Sequence, residues 1–215
     1  MRVLFGGSCF LCRGRADDLI CGECDADLPR LGFPLCPRCA LASPAGAVCG
    51  RCLATSPAYD ATHAALAYDF PADALVHALK FRGELALAPW LASLLVERTR
   101  ADAVDHVVAV PLSARRLRER GYNQSVEIAR RLRKDRLDLG LCERIRDVRP
   151  QIELPYDERQ RNVRGAFRCT RALVGARIAV VDDVMTTGAT LNEMARTLKA
   201  AGAVHVVNWV LARTL

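Results

Sequence analysis

Two adjacent carboxylates and a group of small hydroxyl residues stand together in the stretch "VVDDVMTTGATL", residues 180–191. Because like charges repel, Asp182 and Asp183 are unsuited to bind a phosphate, but they suit the two neighbouring hydroxyl donors of a sugar diol. The residues that follow supply hydroxyls and backbone N–H groups, which are the components of a phosphate cradle. The stretch therefore predicts a ribose 5-phosphate site, with the phosphate held by Thr186, Thr187, Gly188, Ala189 and Thr190.

Eight of the ten cysteines form four CxxC pairs near the N-terminus, and their chemistry indicates metal binding. Each pair can present two thiolates to one tetrahedral zinc ion, so four pairs suffice for up to two structural zinc sites. A redox role is the alternative, but four copies in so short a segment favour a double zinc ribbon. The way in which the pairs combine stays open. The predicted ligands are Cys9, Cys12, Cys21, Cys24, Cys36, Cys39, Cys49 and Cys52.

Two further segments carry cations that suit phosphate groups. The first, "VPLSARRLRERGYNQS" (residues 110–125), follows a predicted strand and is expected to form a basic loop that faces a pyrophosphate leaving group. The second, "PQIELPYDERQRNVRGAF" (residues 150–167), lacks helical periodicity and predicts a mobile lid. The candidate phosphate ligands are Arg115, Arg116, Arg120 and Arg159. The candidate lid residues are Gln151, Asn162 and Arg164.

The formal net charge is +7, and much of it lies between Arg115 and Arg136, where nine basic residues face three acidic ones. Such a concentration indicates an anionic partner, either a phosphate ester or a nucleic acid. A solvated helix face is the alternative interpretation of the same charges.

The elements that must position these residues alternate between strands and helices after a Cys-, Gly- and Pro-rich N-terminal part. We therefore predict a double zinc-ribbon domain over residues 1–57 and an α/β domain with a parallel sheet over residues 58–215. Helices are expected from Pro71, over residues 84–99 with Pro89 near the start, and after Asn123, which is a candidate N-cap. In a parallel sheet ligands bind beyond the carboxyl ends of the strands, where the acidic pair is expected.

The loop at residues 180–191 resembles the phosphoribosyl pyrophosphate (PRPP) motif of type I phosphoribosyltransferases. Together with "HALKFRG", "RLRERGYNQ" and "ERQRNVRGAF", in this order behind the cysteine pairs, it is similar to the ComF family over nearly the whole chain. The resemblance implies a Rossmann-like type I phosphoribosyltransferase domain, PRPP with magnesium as ligand, and a link to DNA uptake. It also implies that Asp182 and Asp183 hold the ribose hydroxyls.

One departure from the wider superfamily concerns the acceptor. Its purine-salvage members carry an aspartate three positions after the second acidic residue, whereas this chain has Thr186. The resemblance therefore argues against a purine acceptor used by that route, and the acceptor stays open.

Two functions are consistent with these features. The first is a PRPP-binding, phosphoribosyltransferase-like protein. The second is a non-catalytic accessory protein that binds single-stranded DNA, works with a DNA-uptake helicase or translocation partner, and keeps the phosphoribosyl site as a ligand sensor. Since the sequence shows no apolar run of membrane-spanning length and no signal-peptide core, we expect a cytoplasmic protein without membrane insertion.

Overall fold

A computed structural model describes residues 7–32, 34–146 and 163–215. The N-terminal part consists of short elements connected by turns. They are β1 (Gly7–Ser8), β2 (Arg15–Ala16), α1 (Gly22–Ala26), a 3₁₀ turn (Pro44–Gly46) and α2 (Gly50–Ala54).

The remainder alternates longer strands and helices. They are β3 (Ala61–Ala67), α3 (Ala72–Phe81), α4 (Leu87–Thr99), β4 (His106–Ala109), α5 (Ala114–Arg120), α6 (Gln124–Leu132), β5 (Cys142–Arg144), β6 (Phe167–Cys169), β7 (Arg177–Met185), α7 (Ala189–Ala200) and β8 (His205–Arg213).

The central sheet has four strands in the order β3-β8-β7-β4, and every neighbouring pair is parallel. Its middle strands are mostly apolar and mostly buried, as expected when helices cover both faces of a parallel sheet. Helices α4 and α6 pack on one face, and α7 packs on the other. The predicted α/β architecture is confirmed. Within the described residues no helix has the length and apolar character needed to cross a bilayer.

The cysteine-rich part packs directly against the sheet. Strand β3 is an edge strand, and its outer side bonds to the ribbon chain, with Ala67 donating to the carbonyl of Pro29 at 2.7 Å and Thr62 to that of Pro37 at 3.0 Å. Cys36 and Cys39 are buried in the same apolar cluster as Met185 at the end of β7. The ribbon therefore covers a sheet edge that would otherwise be exposed. The predicted boundary at residue 57 falls between α2 and β3.

Three predicted helices are confirmed in place as α3, α4 and α6, and the side chain of Asn123 accepts a hydrogen bond from the N–H of Ser125 at 2.9 Å. The prediction of a loop after β4 was wrong over Ala114–Arg120, which forms α5. The hydroxyl of Ser113 caps this helix by accepting from the N–H of Arg116 at 3.3 Å, and Gly121 ends it at φ 81°.

Candidate functional site

The acidic pair lies where the sheet opens on one side. Strand β4 pairs with β7 only as far as Ala109 opposite Val181, whereas β8 accompanies β7 to its end at Met185. Beside Asp182 and Asp183, β7 therefore pairs with β8 on one side and has no strand partner on the side of β4. This opening at the carboxyl end of a parallel strand is where such sheets bind ligands.

Asp182 is half-buried and contacts the start of α6. Its Oδ1 accepts a hydrogen bond from Ser125 Oγ at 3.0 Å and one from the N–H of Asp183 at 3.0 Å. Burial and the neighbouring charge of Asp183 raise the pKa of Asp182 to about 7, although Lys80 and these hydrogen bonds oppose that rise. Asp182 can therefore change its protonation state near neutral pH.

Asp183 is buried and forms an ion pair that the sequence analysis did not predict. Lys80 Nζ, from the C-terminal turn of α3, lies 2.7 Å from Asp183 Oδ2. Burial alone would raise the pKa of Asp183, but the charge and hydrogen bond of Lys80, the N–H of Val184 and the charge of Arg120 together hold that pKa below its usual range. The two adjacent carboxylates thus differ in character, because Asp183 is the better ionised of the two.

The predicted phosphate loop joins β7 to α7 in a single tight turn. Thr186 is exposed and Thr187 half-buried, and the Thr187 hydroxyl accepts from the N–H of Ala189 at 3.3 Å. Gly188 is the N-cap of α7 at φ 81°, and its carbonyl accepts from the N–H of Asn192 at 2.8 Å. Helix α7 begins at Ala189. The loop therefore presents a helix N-terminus, whose first N–H groups and partial positive charge suit an anion.

Gly188 is required at its position for two independent reasons. Its φ of +81° lies in the left-handed region, which disfavours side chains with a Cβ. A Cβ built there would also lie 2.7 Å from Met185 Cε and 3.1 Å from the Tyr59 hydroxyl. The loop consequently rests on a buried tyrosine from the segment that connects the ribbon to β3.

Of the candidate arginines in α5, Arg120 has the closest connection to the acidic pair. Its guanidinium donates a hydrogen bond to Gln124 Oε1 and lies 5.2 Å from the centre of the Phe81 ring. Phe81 directly follows Lys80 in the sequence. Burial lowers the pKa of Arg120, and the Asp183 charge partly offsets that effect. The charge of the half-buried Arg116 also lowers the pKa of Arg120, so the two arginines lie near each other. Arg115 is exposed and pairs with Glu119 at 3.1 Å.

Most of the predicted lid lies outside the described residues, including Gln151, Arg159 and Asn162. Arg164 is described and exposed, and its carbonyl accepts from Arg146 Nη1 at 2.7 Å. The N–H of Gly165 donates to Glu193 Oε1 on α7 at 2.7 Å. The C-terminal end of the predicted lid is therefore attached to α7.

The eight predicted metal ligands assemble into two clusters of four thiols, each made from consecutive pairs. The first joins Cys9 and Cys12 with Cys21 and Cys24, and the second joins Cys36 and Cys39 with Cys49 and Cys52. Within each cluster all sulfur atoms lie within 4.8 Å of one another. The sulfur atoms of Cys12 and Cys21 lie 3.7 Å apart in the first cluster, and those of Cys39 and Cys49 lie 3.6 Å apart in the second. A tetrahedral zinc–thiolate centre requires about 3.8 Å between sulfurs, so both clusters fit zinc.

In each cluster a backbone donor favours the thiolate form of the first cysteine. The N–H of Cys21 donates to Cys9 Sγ at 3.4 Å, and that of Cys49 donates to Cys36 Sγ at 3.3 Å. Although burial opposes ionisation, such donors lower the pKa of Cys9 to about 6 and that of Cys36 to about 7. The two units are structural repeats, since Cys21 and Cys49 cap α1 and α2 with nearly identical dihedral angles, φ −71° and ψ 159° against φ −70° and ψ 158°.

The four-stranded parallel sheet with helices on both faces and the two four-cysteine clusters define the class: an α/β protein with an N-terminal double zinc ribbon. A family model described as a double zinc ribbon domain matches residues 1–53. Similarity to proteins of matching length extends over nearly the whole chain, and the chain belongs to the ComF family.

Two relatives represent this family. DNA utilization protein YhgH of Salmonella typhimurium is 36% identical over 97% of this chain and 98% of its own length. Competence protein F of Haemophilus influenzae is 30% identical over 99% of this chain and 100% of its own length. Among solved structures, a purine phosphoribosyltransferase from Pyrococcus horikoshii Ot3 matches 60% of this chain and 84% of its own at 20% identity and a TM-score of 0.38.

Proposed function

We propose that the protein binds PRPP in the opening beside β4 and acts in DNA uptake or utilisation. The observation that carries the proposal is the placement of Asp182 and Asp183 at the open carboxyl end of β7, followed at once by the N-terminus of α7. The carboxylates would accept hydrogen bonds from the ribose hydroxyls, and residues 186–190 would donate to the 5-phosphate. The DNA-related role is carried over from the names of the relatives.

The cations at the rim of the opening would bind the pyrophosphate group. Arg120 is the best placed, because it is held by Gln124 and lies within electrostatic reach of Asp183. Arg116 lies next to it, whereas the outward pairing of Arg115 with Glu119 makes it the weakest candidate of the three. Magnesium would accompany the pyrophosphate, and the carboxylate oxygens of the acidic pair are of the type that this ion prefers.

If the protein is an enzyme, the reaction is a substitution at the anomeric carbon of the ribose. The bond from this carbon to the pyrophosphate oxygen breaks, and the pyrophosphate leaves with the electron pair. A nucleophile from the acceptor forms the new bond and loses its proton. Arg116 and Arg120 would stabilise the charge that develops on the leaving group. Because Thr186 stands where purine-salvage enzymes carry an aspartate, the acceptor would be of another type.

A second function, binding of single-stranded DNA without catalysis, is favoured by the surface of α6. Arg131, in the last turn of α6, and Lys134, two residues beyond its end, are exposed, and no ion pair is found for either of them in the described part of the chain, whereas Arg130 pairs with Glu127 at 2.8 Å. Unpaired cations on one surface suit a phosphate backbone. In this case the phosphoribosyl site would sense a ligand, and a helicase or translocation protein would be the partner.

Calorimetric titration with PRPP, ribose 5-phosphate and pyrophosphate in the presence of magnesium tests the proposal. We expect PRPP to bind most tightly, and ribose 5-phosphate to bind through the acidic pair and the loop alone. Absence of binding by all three to the folded, zinc-loaded protein would contradict the proposal. Release of pyrophosphate with candidate acceptors then separates an enzyme from a ligand sensor.

A further inference from the structure

Arg213, the last residue of β8, is a fully buried cation directly beneath the phosphate loop. Its side chain is 1% exposed. The Nη1 group donates to the carbonyl of Met185 at 2.8 Å and also to the carbonyls of Thr186 and Thr214. One guanidinium thereby fixes the backbone at the point where β7 ends and the loop begins.

The other side of the same guanidinium bonds to the second zinc ribbon. Arg213 Nε donates to the carbonyl of Cys39 at 2.9 Å, and Cys39 is itself one of the four thiols of the second cluster. A single rigid, planar group therefore connects a metal-ligating residue with the carbonyls of the loop. Such a multidentate arrangement is a property of arginine that lysine does not share.

A buried cation requires a compensating negative charge, and for Arg213 the second cluster would supply it when it holds zinc. No carboxylate forms an ion pair with this residue within residues 7–32, 34–146 and 163–215. Its Nε instead bonds to the backbone of Cys39, a residue of the second cluster. A zinc ion with four thiolates carries a net charge of about −2, which suits this role.

Tyr59 provides a second connection between the same cluster and the loop. Tyr59 is 4% exposed, and its carbonyl accepts a hydrogen bond from Arg38 Nη1 at 3.1 Å. In the sequence, Arg38 lies between Cys36 and Cys39 of the second cluster. The Tyr59 hydroxyl lies 3.1 Å from the position of a Cβ at Gly188. The floor of the loop thus consists of Arg213 and Tyr59, and both are attached to the second ribbon.

The first ribbon offers an internal comparison, because it repeats the fold of the second without this connection. Cys9 is buried in the cluster formed by α3 and α4, on the other side of the sheet from Met185 and Ala189. The position after Cys12 is occupied by Arg13, and the equivalent position after Cys39 by Ala40, both at positive φ. The repeats are therefore alike in local structure and differ in what they support.

We infer that Arg213 is a positioning residue for the phosphate loop and that the second cysteine cluster is its counter-ion, so that zinc in this cluster, and not in the first, sets the affinity for PRPP. The inference rests on the proposed function for its ligand, but the coupling between cluster and loop does not depend on PRPP. Because such coupling is reciprocal, PRPP must also stabilise zinc in the second cluster.

Equivalent substitutions in the two repeats test the coupling. Cys49→Ser removes a half-buried ligand from the second cluster, and Cys21→Ser removes the corresponding ligand from the first. Hydrogen exchange at the amides of residues 186–191, without ligand, should become about tenfold faster in the first variant and stay unchanged in the second. Equal exchange in both variants would overturn the inference, whether or not the protein binds PRPP.

Ligand binding provides the second arm of the experiment. We expect Cys49→Ser to weaken PRPP binding about tenfold and Cys21→Ser to leave it unchanged. Arg213→Lys should weaken binding although it keeps the charge, while the zinc content stays at two equivalents. If the wild type does not bind PRPP, the proposed function fails, and hydrogen exchange alone decides the coupling.

The wild-type protein gives a test that needs no variant. With a chromogenic chelator in excess, zinc should leave in two phases, and PRPP should slow only one of them. Mass spectrometry of alkylated cysteines would show which cluster loses its zinc in the slowed phase. We expect the cysteines protected by PRPP to be Cys36, Cys39, Cys49 and Cys52. Protection of both clusters to the same extent, or of the first alone, would contradict the inference.

Discussion

Lys80 Nζ lies 2.7 Å from Asp183 Oδ2 and joins the end of α3 to the acidic pair on β7. This ion pair neutralises one of two adjacent carboxylates in a site that must otherwise tolerate their mutual repulsion. It also places a cation next to the predicted ribose position. Several consequences can be measured.

Replacement of Lys80 by Met should destabilise the protein, because Asp183 would keep a buried charge without its partner. We expect a loss of roughly 2–3 kcal/mol at pH 7, less than for a fully buried pair because the lysine is partly exposed. The low pKa of Asp183 stabilises the fold above the unfolded pKa of about 4, and that contribution is lost as the pH falls through the folded pKa. The difference between the proteins should therefore shrink in acid. Urea denaturation of both proteins and of Lys80→Arg measures it, and equal stability at pH 7 would contradict the expectation.

Replacement of Gly188 by Ala should disturb the loop more than its positive φ alone explains. Gly83→Ala is the matched control, because Gly83 also has a positive φ, +71°, but no atom lies within 4 Å of its Cβ position. We expect the control to lose about 1 kcal/mol of stability and no PRPP affinity. Gly188→Ala should lose more stability than the control and should also lose affinity for PRPP, since its methyl group would lie 2.7 Å from Met185 Cε. Identical behaviour of the two variants in urea denaturation and calorimetry would show that crowding has no effect.

Affinity for PRPP should increase with pH as Asp182 ionises. Its pKa of about 7 is raised above the unfolded value, so the resulting stabilisation of the free protein is present below about pH 4 and is lost as the pH rises through 7. Because sugar hydroxyls donate to the ionised carboxylate, we expect roughly tenfold tighter binding at pH 8 than at pH 6. Asp182→Asn should remove this dependence, while titration of the ligand's own phosphates is common to both proteins. The same pH profile in both would rule out Asp182 as its origin.

The local parts of the site could be predicted from the sequence, and the contacts between distant segments could not. The acidic pair and residues 186–190 belong to one short motif, and Asn123 caps α6 through a local hydrogen bond. Lys80 and Arg213 reach the site from α3 and β8, and their roles follow from packing that no local pattern reveals. Strand β3 was not predicted because "ATHAALA" is rich in alanine, which has little strand preference. It forms because β8 pairs with it on one side and the ribbon covers the other.

Binding of single-stranded DNA, if it uses the surface of α6, should depend on Arg131 and Lys134. Their replacement by Gln should reduce the magnitude of the log–log salt slope by about 1.4, or about 0.7 for each lost phosphate contact. Arg168→Gln with Arg171→Gln is the matched control, because these exposed arginines already pair with Glu143 and Asp138. Fluorescence anisotropy with a labelled oligonucleotide at several salt concentrations measures the slopes. An equal slope in all three proteins would identify α6 as a solvated surface.

The most direct test of the PRPP site is calorimetric titration of the double variant Asp182→Asn, Asp183→Asn. Asp17→Asn with Asp18→Asn is its control, because these adjacent aspartates are exposed on the first ribbon and undergo the same two substitutions. The wild type and the control should bind PRPP alike, and the double variant should bind at least roughly 100-fold more weakly, since two charged hydrogen-bond acceptors are lost. Circular dichroism must show that the variant is folded. Undiminished binding of PRPP by the folded double variant would contradict the assignment of this site.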